Sequence, residues 1–408
     1  MKKFKCRQDY FNFYTNPWKI FILLISFLSF SIVTGCGGGG DGNEAPGDRR
    51  PTAQTMVGQF KDSNAAGVNY VSGGQTGVTD SQGRFTYEEG KTVAFSVGNV
   101  QLGETEGKSL ITPVDLVEQG SSRSGSVVNT AQFLQGLDQD ADPSNGITIS
   151  QDIQMRAQNW TLDINSDDFD QQLESIKSDL EEEYGSFYGF PDETTARNHL
   201  ESTLRCSYSG AYVGTYGGTD QGNFGVLIDA RSGIASGAAY STEYNEFSIL
   251  TGTRSISYDQ NAAFASGNTD QGTEFNGRFT SVNTVQGRWG HPLDSSIGGS
   301  FSGERIGGGQ YAVYRGTGTW RTDSFDEYGV FTFDINDSGR ITGFAYNTAY
   351  GVPANLNGSL SGTNISATAS DRTRVTGTLD RETGDLGGRF DDSAGFSGTF
   401  EGSGCRLN

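Results

Sequence analysis

The chain has 408 residues, 59 of them glycine, and a formal net charge of −20. This length is enough for two or three domains. The acidic balance disfavours nucleic acids and anionic lipid surfaces as partners, because like charges repel, so no nucleic-acid partner is expected. Abundant glycine with regularly spaced aromatic residues is typical of turn-rich β structure, and it predicts a mainly β fold with a helical connector.

The first 35 residues contain a short apolar run behind a basic stretch. The run, 20–33, has about 14 residues, whereas a helix needs ~20 to cross a bilayer. It leads into Val33-Thr34-Gly35-Cys36, which resembles the lipobox of bacterial lipoproteins. The resemblance implies that 1–35 is a signal peptide, removed before Cys36, and that the Cys36 thiol carries diacylglycerol. An uncleaved anchor or an ordinary secretory signal is the alternative.

The residues after Cys36 bear on where the protein is held. By analogy with lipoprotein sorting, Gly37 rather than aspartate at this position implies transfer to the outer membrane instead of retention at the inner one. The expected location is therefore the cell envelope, with the membrane contacted through the lipid anchor. Residues 36–55 are glycine-rich and polar, and they predict a flexible tether.

Residues 56–116 predict a small β domain. Apolar and polar residues alternate in 84–87 and 93–97, as they do in half-buried antiparallel strands. The segment 77–85, GVTDSQGRF, resembles the G-x-T-D-x-x-G-x-F hairpin of carboxypeptidase-regulatory-like, transthyretin-type β-sandwiches. That resemblance implies a β-sandwich-like accessory or spacer domain and brings no catalytic residue with it.

Residues 117–205 predict an acidic helical connector. Apolar residues recur at the spacing of one helix face in three stretches, 127–137, 169–180 and 196–204. Ser166 is the expected N-cap of the second helix, and the third helix is expected over 192–205.

The remainder of the chain is a tandem repeat, 206–308 and 309–408. The string GVLIDARSGIASGAAY in the first copy matches GVFTFDINDSGRITGFAY in the second, and each copy holds about eight short segments separated by turn residues. Eight antiparallel strands can close into a barrel, which removes exposed edges. Glycines inside strands favour sharply curled sheets, and they recur at matching places: Gly237, Gly277, Gly287, Gly343, Gly377 and Gly388. Two up-and-down eight-stranded barrels are predicted.

The motifs of these repeats resemble those of barrel modules in surface lipoproteins, including transferrin-binding protein B. The shared elements are a G-x-F strand, V-x-G-x-W/F, and GGSFSG at 298–303. No transferrin-contacting residue carries over from the resemblance. The segments are too short and too polar for membrane-spanning strands, which need ~9–11 residues with an apolar outer row, so barrels outside the bilayer are expected.

Four cysteines are present, and two of them fall in the mature domains. Cys6 lies in the predicted signal peptide and Cys36 is the lipidation site, which leaves Cys206 and Cys405. In an oxidising compartment these two are expected to form a disulfide that encloses both barrels. Two buried free thiols are the alternative, and a metal site is disfavoured because neither cysteine has a ligand-spaced neighbour.

One acidic segment, LDQDADPSNGITI at 137–149, is a candidate calcium loop. Asp138, Asp140, Asp142 and Asn145 supply the oxygen ligands that Ca²⁺ prefers. The pattern departs from an EF-hand, since Pro143 replaces the glycine and no glutamate closes the loop. The other interpretation is a plain acidic turn, because Asp and Asn favour turns and helix caps.

Catalytic residues are scarce in the sequence. The chain has two histidines, His199 and His291, and no G-x-S-x-G motif. A Ser-His-Asp arrangement or a histidine metal centre is therefore hard to build, and the chain is not expected to be an enzyme.

Three functions remain open at this stage. The first is a lipid-anchored, non-enzymatic binding or adhesion module for an envelope protein or a glycan. The second is a carrier of small hydrophobic ligands, since eight-stranded barrels can hold one small ligand, although small barrels are normally filled by their own side chains. The third is a polysaccharide-acting enzyme that uses two carboxylates.

Overall fold

The computed structural model describes residues 54–308, 312–324, 327–391 and 395–407. The predicted signal peptide, Cys36 and the tether up to residue 53 lie outside these ranges. Within them, no helix combines the length and the apolarity that a membrane span requires.

Nine short strands belong to the N-terminal region. In chain order they are β1 Thr55–Phe60, β2 Ala65–Ala66, β3 Asn69–Ser72, β4 Gln75–Val78, β5 Arg84–Glu88, β6 Thr92–Val97, β7 Val100–Glu106, β8 Leu110–Ile111 and β9 Ile147–Thr148. They form a three-stranded sheet β5-β1-β8, a four-stranded sheet β4-β3-β6-β7 and the pair β2-β9. The alternating apolar residues of the two larger sheets face one another. Phe60 of β1 stacks on Phe95 of β6 with ring centroids 4.6 Å apart.

The prediction of a hairpin at 77–85 is wrong, because the two strands that flank this segment do not pair with each other. Strand β4 ends at Val78 and pairs with β3, whereas β5 begins at Arg84 and pairs with β1. The segment between them therefore crosses from one sheet to the other. Asp80 holds this crossing, because its Oδ1 accepts hydrogen bonds from the backbone N–H groups of Gln82 and Arg84, both at 2.9 Å.

Four α-helices are present in the described ranges: α1 Gly125–Gly136, α2 Gln151–Arg156, α3 Phe169–Tyr184 and α4 Glu193–Tyr208. Two 3₁₀ helices, Pro113–Leu116 and Pro143–Asn145, accompany them. The helices do not form a separate layer. Apolar residues of α1 and α3 share a core with the N-terminal sheets, while α4 and the other side of α1 pack into the core of the first barrel.

The helix boundaries correct one sequence prediction and support another. Helix α3 begins at Phe169 with Asp168 in the N-cap position, not Ser166. Ser166 instead accepts a hydrogen bond from the Asp168 N–H at 3.1 Å, in a turn that precedes the helix. Helix α4 begins where expected, because Asp192 caps it through the Thr195 N–H at 2.8 Å.

The first barrel is a closed ring of eight antiparallel strands with one short extra strand at its edge. Its strands are β10 Gly210–Gly218, β11 Gly222–Ile228, β12 Ile234–Ser241, β13 Glu246–Ser255, β14 Ser257–Asp259, β15 Ala262–Thr269, β16 Glu274–Ser281, β17 Thr284–His291 and β18 Asp294–Ile306. Strands β10 and β18 pair at one seam and β13 and β15 at another, while β14 pairs only with β15.

The second barrel is closed by eight strands in simple meander order. These are β19 Tyr314–Thr322, β20 Tyr328–Ile335, β21 Arg340–Asn347, β22 Val352–Ser361, β23 Asn364–Ala369, β24 Arg374–Leu379, β25 Asp385–Asp391 and β26 Ser397–Arg406, with β19 paired to β26. The prediction of two tandem eight-stranded barrels is confirmed.

The glycines predicted inside strands occupy equivalent positions in the two barrels. Gly377 of β24 pairs with Gly388 of β25, just as Gly277 pairs with Gly287 in the first barrel. The ring of Phe400 covers the Gly377–Gly388 pair, and a Cβ added to Gly388 would clash with the Thr376 carbonyl oxygen and would lie 2.6 Å from Phe400 Cζ. Glycine is therefore required there because the neighbouring strand and an aromatic ring both occupy the space of the missing side chain.

The helices and both barrels meet at a buried junction. A disulfide joins Cys206 of α4 to Cys405 of β26, with their Cα atoms 5.8 Å apart, so the predicted pairing is present. Beside it, Arg315 Nε donates to Asp334 Oδ1 at 2.8 Å, and the side chains of both residues are buried. The Nζ of buried Lys61 donates to the carbonyl of Leu407. Helices, barrels and N-terminal region thus belong to one compact unit, Ala53–Asn408.

A buried carboxyl next to this junction makes stability depend on pH. Asp62 is fully buried; its Oδ2 accepts a hydrogen bond from Gln135 Nε2 at 2.9 Å, and its Oδ1 has no partner among the described residues. Burial raises the pKa of Asp62 to about 7, although the Gln135 hydrogen bond acts in the opposite direction. Since the folded state favours the protonated carboxyl, this stabilising contribution is full below pH ~4 and is lost as the pH rises to about 7.

We expect Asp62→Asn to remove that dependence. Between pH 4 and pH 8, the free energy of unfolding of the wild type should fall by ~2–4 kcal/mol relative to that of the variant. Each unit of difference in pKa between the folded and unfolded states corresponds to about 1.4 kcal/mol. Denaturant unfolding at several pH values measures this difference. A difference that stays constant across the range would contradict the assignment.

Candidate functional site: the interior of the second barrel

The inward faces of the two barrels differ in how much space they leave. Inside the first barrel the free volume is about 130 Å³. Most of its interior is filled by large side chains, namely Phe224, Phe275, Phe279, Trp289 and Phe301. The end near α4 is closed by Tyr208 and Tyr212, which pack against Phe279.

The second barrel contains a cavity of about 660 Å³. Phe331, Phe333 and Leu356 belong to its lining, and so do four alanines: Ala345, Ala354, Ala367 and Ala369. Protein pockets that hold small ligands measure ~300–1,000 Å³. The cavity of the second barrel falls in this range, and that of the first barrel does not.

Two aligned positions on β16 and β24 account for part of this difference. Phe275 lies two residues before Gly277 on β16, and Val375 lies two residues before Gly377 on β24. Both side chains line the interiors of their barrels. Two residues after the glycines, Phe279 of the first barrel is replaced by Leu379 in the second. The smaller side chains on β24 leave room that the aromatic rings on β16 occupy.

The mouth of the cavity is formed by turns at one end of the second barrel. The turns β19–β20, β21–β22 and β23–β24 contribute Glu327, Tyr350 and Asp371 to its lining. Apolar side chains reach the solvent here, because Tyr350 is 68% and Val352 is 57% exposed. The cavity is therefore amphipathic, with an apolar interior and polar groups at its opening.

The polar groups of the mouth are held by short hydrogen bonds. Asn347 Nδ2 donates to Glu327 Oε2 at 2.8 Å, and the Thr373 N–H donates to Asp371 Oδ1 at 2.9 Å. Among the described lining residues, Glu327 and Asp371 are the carboxylates, and none is lysine, arginine or histidine. The charged residues among the described lining of the opening are thus all negative.

The candidate calcium loop forms a hydrogen-bonded turn. Asp138 Oδ1 accepts from the Thr148 N–H at 2.8 Å, Asp140 Oδ2 from Asn145 Nδ2 at 3.0 Å, and Asp142 Oδ1 from the Ser144 N–H at 3.1 Å. Burial, with a smaller contribution from Asp140, raises the pKa of Asp138 to about 6. In the described ranges no group of three His, Cys, Asp or Glu side chains is placed to hold a metal ion. Asp138 Oδ2 is buried without a hydrogen-bond partner among the described residues, and the calcium site stays a prediction.

The structure also brings together a serine and a histidine that the sequence separates widely. Ser63 Oγ lies 2.9 Å from His199 Nε2, and Ser63 has a positive φ of 61°. Such a contact is needed for a nucleophile and its base. Ser63 is only 2% exposed, however, and it lines none of the cavities described above. The pair joins the N-terminal region to α4, and its geometry offers no access for a substrate.

Two tryptophans and two tyrosines of the repeats, which the sequence offers as contact residues for a partner, have different positions in the structure. Trp320 lines the cavity of the second barrel, and Trp289 lies inside the first. Tyr314 is in the core of the second barrel, whereas Tyr346 packs between the barrels with Leu227. Val375 of β24 is the cavity residue that sequence reasoning missed. Its signal is visible only once β24 is aligned with β16, which has Phe275 at the same position.

Comparisons with known proteins find distant structural likenesses. No protein-family model and no curated protein matches the chain. Among solved structures, it is similar to a mutant of the vaccine antigen transferrin-binding protein B from Haemophilus parasuis, with 9% identity and a TM-score of 0.18 over 48% of this chain and 76% of that one. It is also similar to a protein of unknown function from the DUF3598 family of Nostoc punctiforme, with 9% identity and a TM-score of 0.15 over 50% of this chain and 98% of that one.

Proposed function

We propose that the chain is a non-enzymatic binding protein of the bacterial cell envelope whose second barrel holds a small apolar ligand. The observation that carries the proposal is the cavity of about 660 Å³ in the second barrel, with its apolar interior and its opening at one end. A void of this size lined by apolar side chains is poorly suited to water, because water needs two to four polar partners. An apolar molecule would gain contacts there that the protein's own atoms do not supply.

The first barrel supports the assignment by contrast. It has the same strand order around its ring and the same glycine pairs, yet its free volume is about 130 Å³. The fold alone therefore does not require an open interior. In this proposal, the first barrel is a structural element that links the helices to the binding barrel, and the second barrel is the binding site.

The envelope location rests on the lipobox at 33–36 and on the disulfide. A Cys206–Cys405 bond suits an oxidising compartment outside the cytoplasm. In the proposal, an acylated Cys36 holds the ligand-binding unit at a membrane surface through the glycine-rich tether. Intact mass measurement of the protein from its native envelope would overturn this part if residues 1–35 were retained and no acyl group were present.

Binding can be tested with N-phenyl-1-naphthylamine, an uncharged probe that fluoresces in apolar surroundings. The unit Ala53–Asn408 is suitable, because it contains the hydrophobic cores described above. It also lacks the predicted lipid anchor at Cys36, so no detergent is needed. We expect saturable binding of one probe per chain, with energy transfer from Trp320, which lines the cavity. Transfer should fall strongly in Trp320→Phe and persist in the matched variant Trp289→Phe. Absence of saturable binding would overturn the proposal.

A further inference from the structure

We infer that the ligand of the second barrel has an uncharged or cationic polar group at the cavity mouth, and that the barrel excludes ligands with a carboxylate there. The inference rests on the proposed function and adds the chemical class of the ligand. It concerns the distribution of charge around the mouth, which is separate from the volume of the cavity.

The orientation of a bound amphiphile follows from the lining. The polar lining residues Thr322, Asn347 and Ser370 lie with the two carboxylates at the open end, in turns or at the ends of strands. The indole Nε1 of Trp320, two residues before Thr322, is buried without a hydrogen-bond partner among the described residues. Deeper in the barrel the lining is apolar, with Phe331, Ile341, Leu356, Ile365 and Phe400. A polar group at the deep end would be desolvated without partners, so it must remain at the mouth.

The mouth offers acceptors and negative charge to that polar group. Asp371 is exposed, and Glu327 is half-buried. Each carboxylate has a neutral hydrogen-bond donor as its partner, namely Thr373 N–H and Asn347 Nδ2, so neither is neutralised by these contacts. A hydroxyl or an ammonium can donate a hydrogen bond to such an oxygen, whereas a carboxylate can only accept.

Nearby arginines do not line the cavity. On β24, Arg374 lies on the outer face with 73% of its side chain exposed, and it is 3.9 Å from Asp391. On β25, Arg389 is also on the outer face and forms an ion pair with Asp323 at 2.8 Å. Arg372 follows Asp371 in the turn and is exposed, and it is not among the lining residues. An anionic head group inside the mouth would therefore meet two carboxylates and no cation among the described lining residues.

The test compares three ligands that share one chain length: dodecan-1-ol, dodecylamine and dodecanoic acid. Each displaces N-phenyl-1-naphthylamine from the unit Ala53–Asn408 near neutral pH. We expect the alcohol and the amine to compete and the acid to be weaker than the alcohol by at least about tenfold, since two like charges within a few ångströms each disfavour binding by ~1 kcal/mol in a solvated site.

Two variants separate the local carboxylates from the acidity of the whole chain. Combining Glu327→Gln with Asp371→Asn should reduce the difference between acid and alcohol to less than about threefold, chiefly because the acid then binds more tightly. The matched control, Asp337→Asn, removes one exposed carboxylate from the β20–β21 turn at the opposite end of the same barrel, and it should preserve the difference. Concentrated salt should also preserve most of the difference in affinity between acid and alcohol, because salt screens distant charges more than adjacent ones.

The outcomes distinguish this inference from the proposed function. If none of the three ligands and no probe binds, the proposed function fails. If the alcohol binds and the acid binds equally well, the inference fails and the proposed function stands. If the acid is excluded but remains excluded after Glu327→Gln with Asp371→Asn, the assignment to these two carboxylates is overturned.

Discussion

Val375→Phe is expected to weaken binding of a small apolar ligand by at least about tenfold while leaving the second barrel folded. The substitution places in β24 the residue that the first barrel has at the aligned position, Phe275. There, Phe275 lies inside a closed barrel whose free volume is about 130 Å³. The new ring enters space that is already empty in the second barrel, so it fills the cavity without overpacking the core. Titration with N-phenyl-1-naphthylamine measures the affinity, and thermal unfolding reports the fold.

A matched control lies on the same strand. Thr376 follows Val375 and is exposed on the outer face of β24, so Thr376→Phe adds the same ring outside the cavity. It should leave affinity unchanged. If Val375→Phe bound the probe as tightly as the wild type while remaining folded, the ligand would not occupy the interior of the second barrel.

Replacing both disulfide cysteines by serine is expected to lower the free energy of unfolding by about 5 kcal/mol. The bond closes a loop with a sequence separation of 199 residues, which contains both barrels. In the chain-entropy description, a loop of this length strongly restricts the unfolded chain. Because Cys206 is in α4 and Cys405 is in the last strand of the second barrel, the loss should also separate the unfolding of the second barrel from that of the rest.

Guanidinium unfolding of Cys206→Ser with Cys405→Ser, compared with the oxidised wild type, measures this effect. The reduced wild type is the natural control, and its unfolding curve should coincide with that of the double variant. Superimposable curves for the oxidised and reduced wild type would show that the bond does not restrict the unfolded chain as described.

The barrels could be predicted from the sequence because their determinants are local and repeated. Alternation of apolar and polar residues defines the strands, and glycines at matching positions indicate where the sheet must curl. In the structure, Gly277 pairs with Gly287, and the next strand contributes Phe301 beside this pair. In the second barrel, Gly377 pairs with Gly388, and the next strand contributes Phe400.

The cavity could not be predicted in the same way. Both repeats show the same alternation, and the volume of an inward-facing residue has meaning only when its neighbours across the barrel are known. Phe275 and Val375 become comparable once the pairing of Gly277 and Gly377 fixes the register. The general expectation that small barrels fill their own interiors describes the first barrel, and the second departs from it.

Local turn signals were ambiguous for a related reason. The segment 77–85 has the glycines and the aspartate of a hairpin turn, but the same residues also suit a crossing between two sheets. The strands that pair with β4 and β5 lie elsewhere in the chain, and this pairing decides whether a hairpin or a crossing forms. The contact between Ser63 and His199 likewise joins residues 136 positions apart, and no local pattern indicates it.

A crystal structure of the unit Ala53–Asn408 grown with saturating dodecan-1-ol would show whether the second barrel binds an apolar chain. We expect electron density for one alkyl chain inside the second barrel, in contact with Phe331 and Leu356, with its hydroxyl near Glu327 or Asp371 and no such density in the first barrel. A second barrel that stays empty or holds only ordered water under these conditions would contradict it.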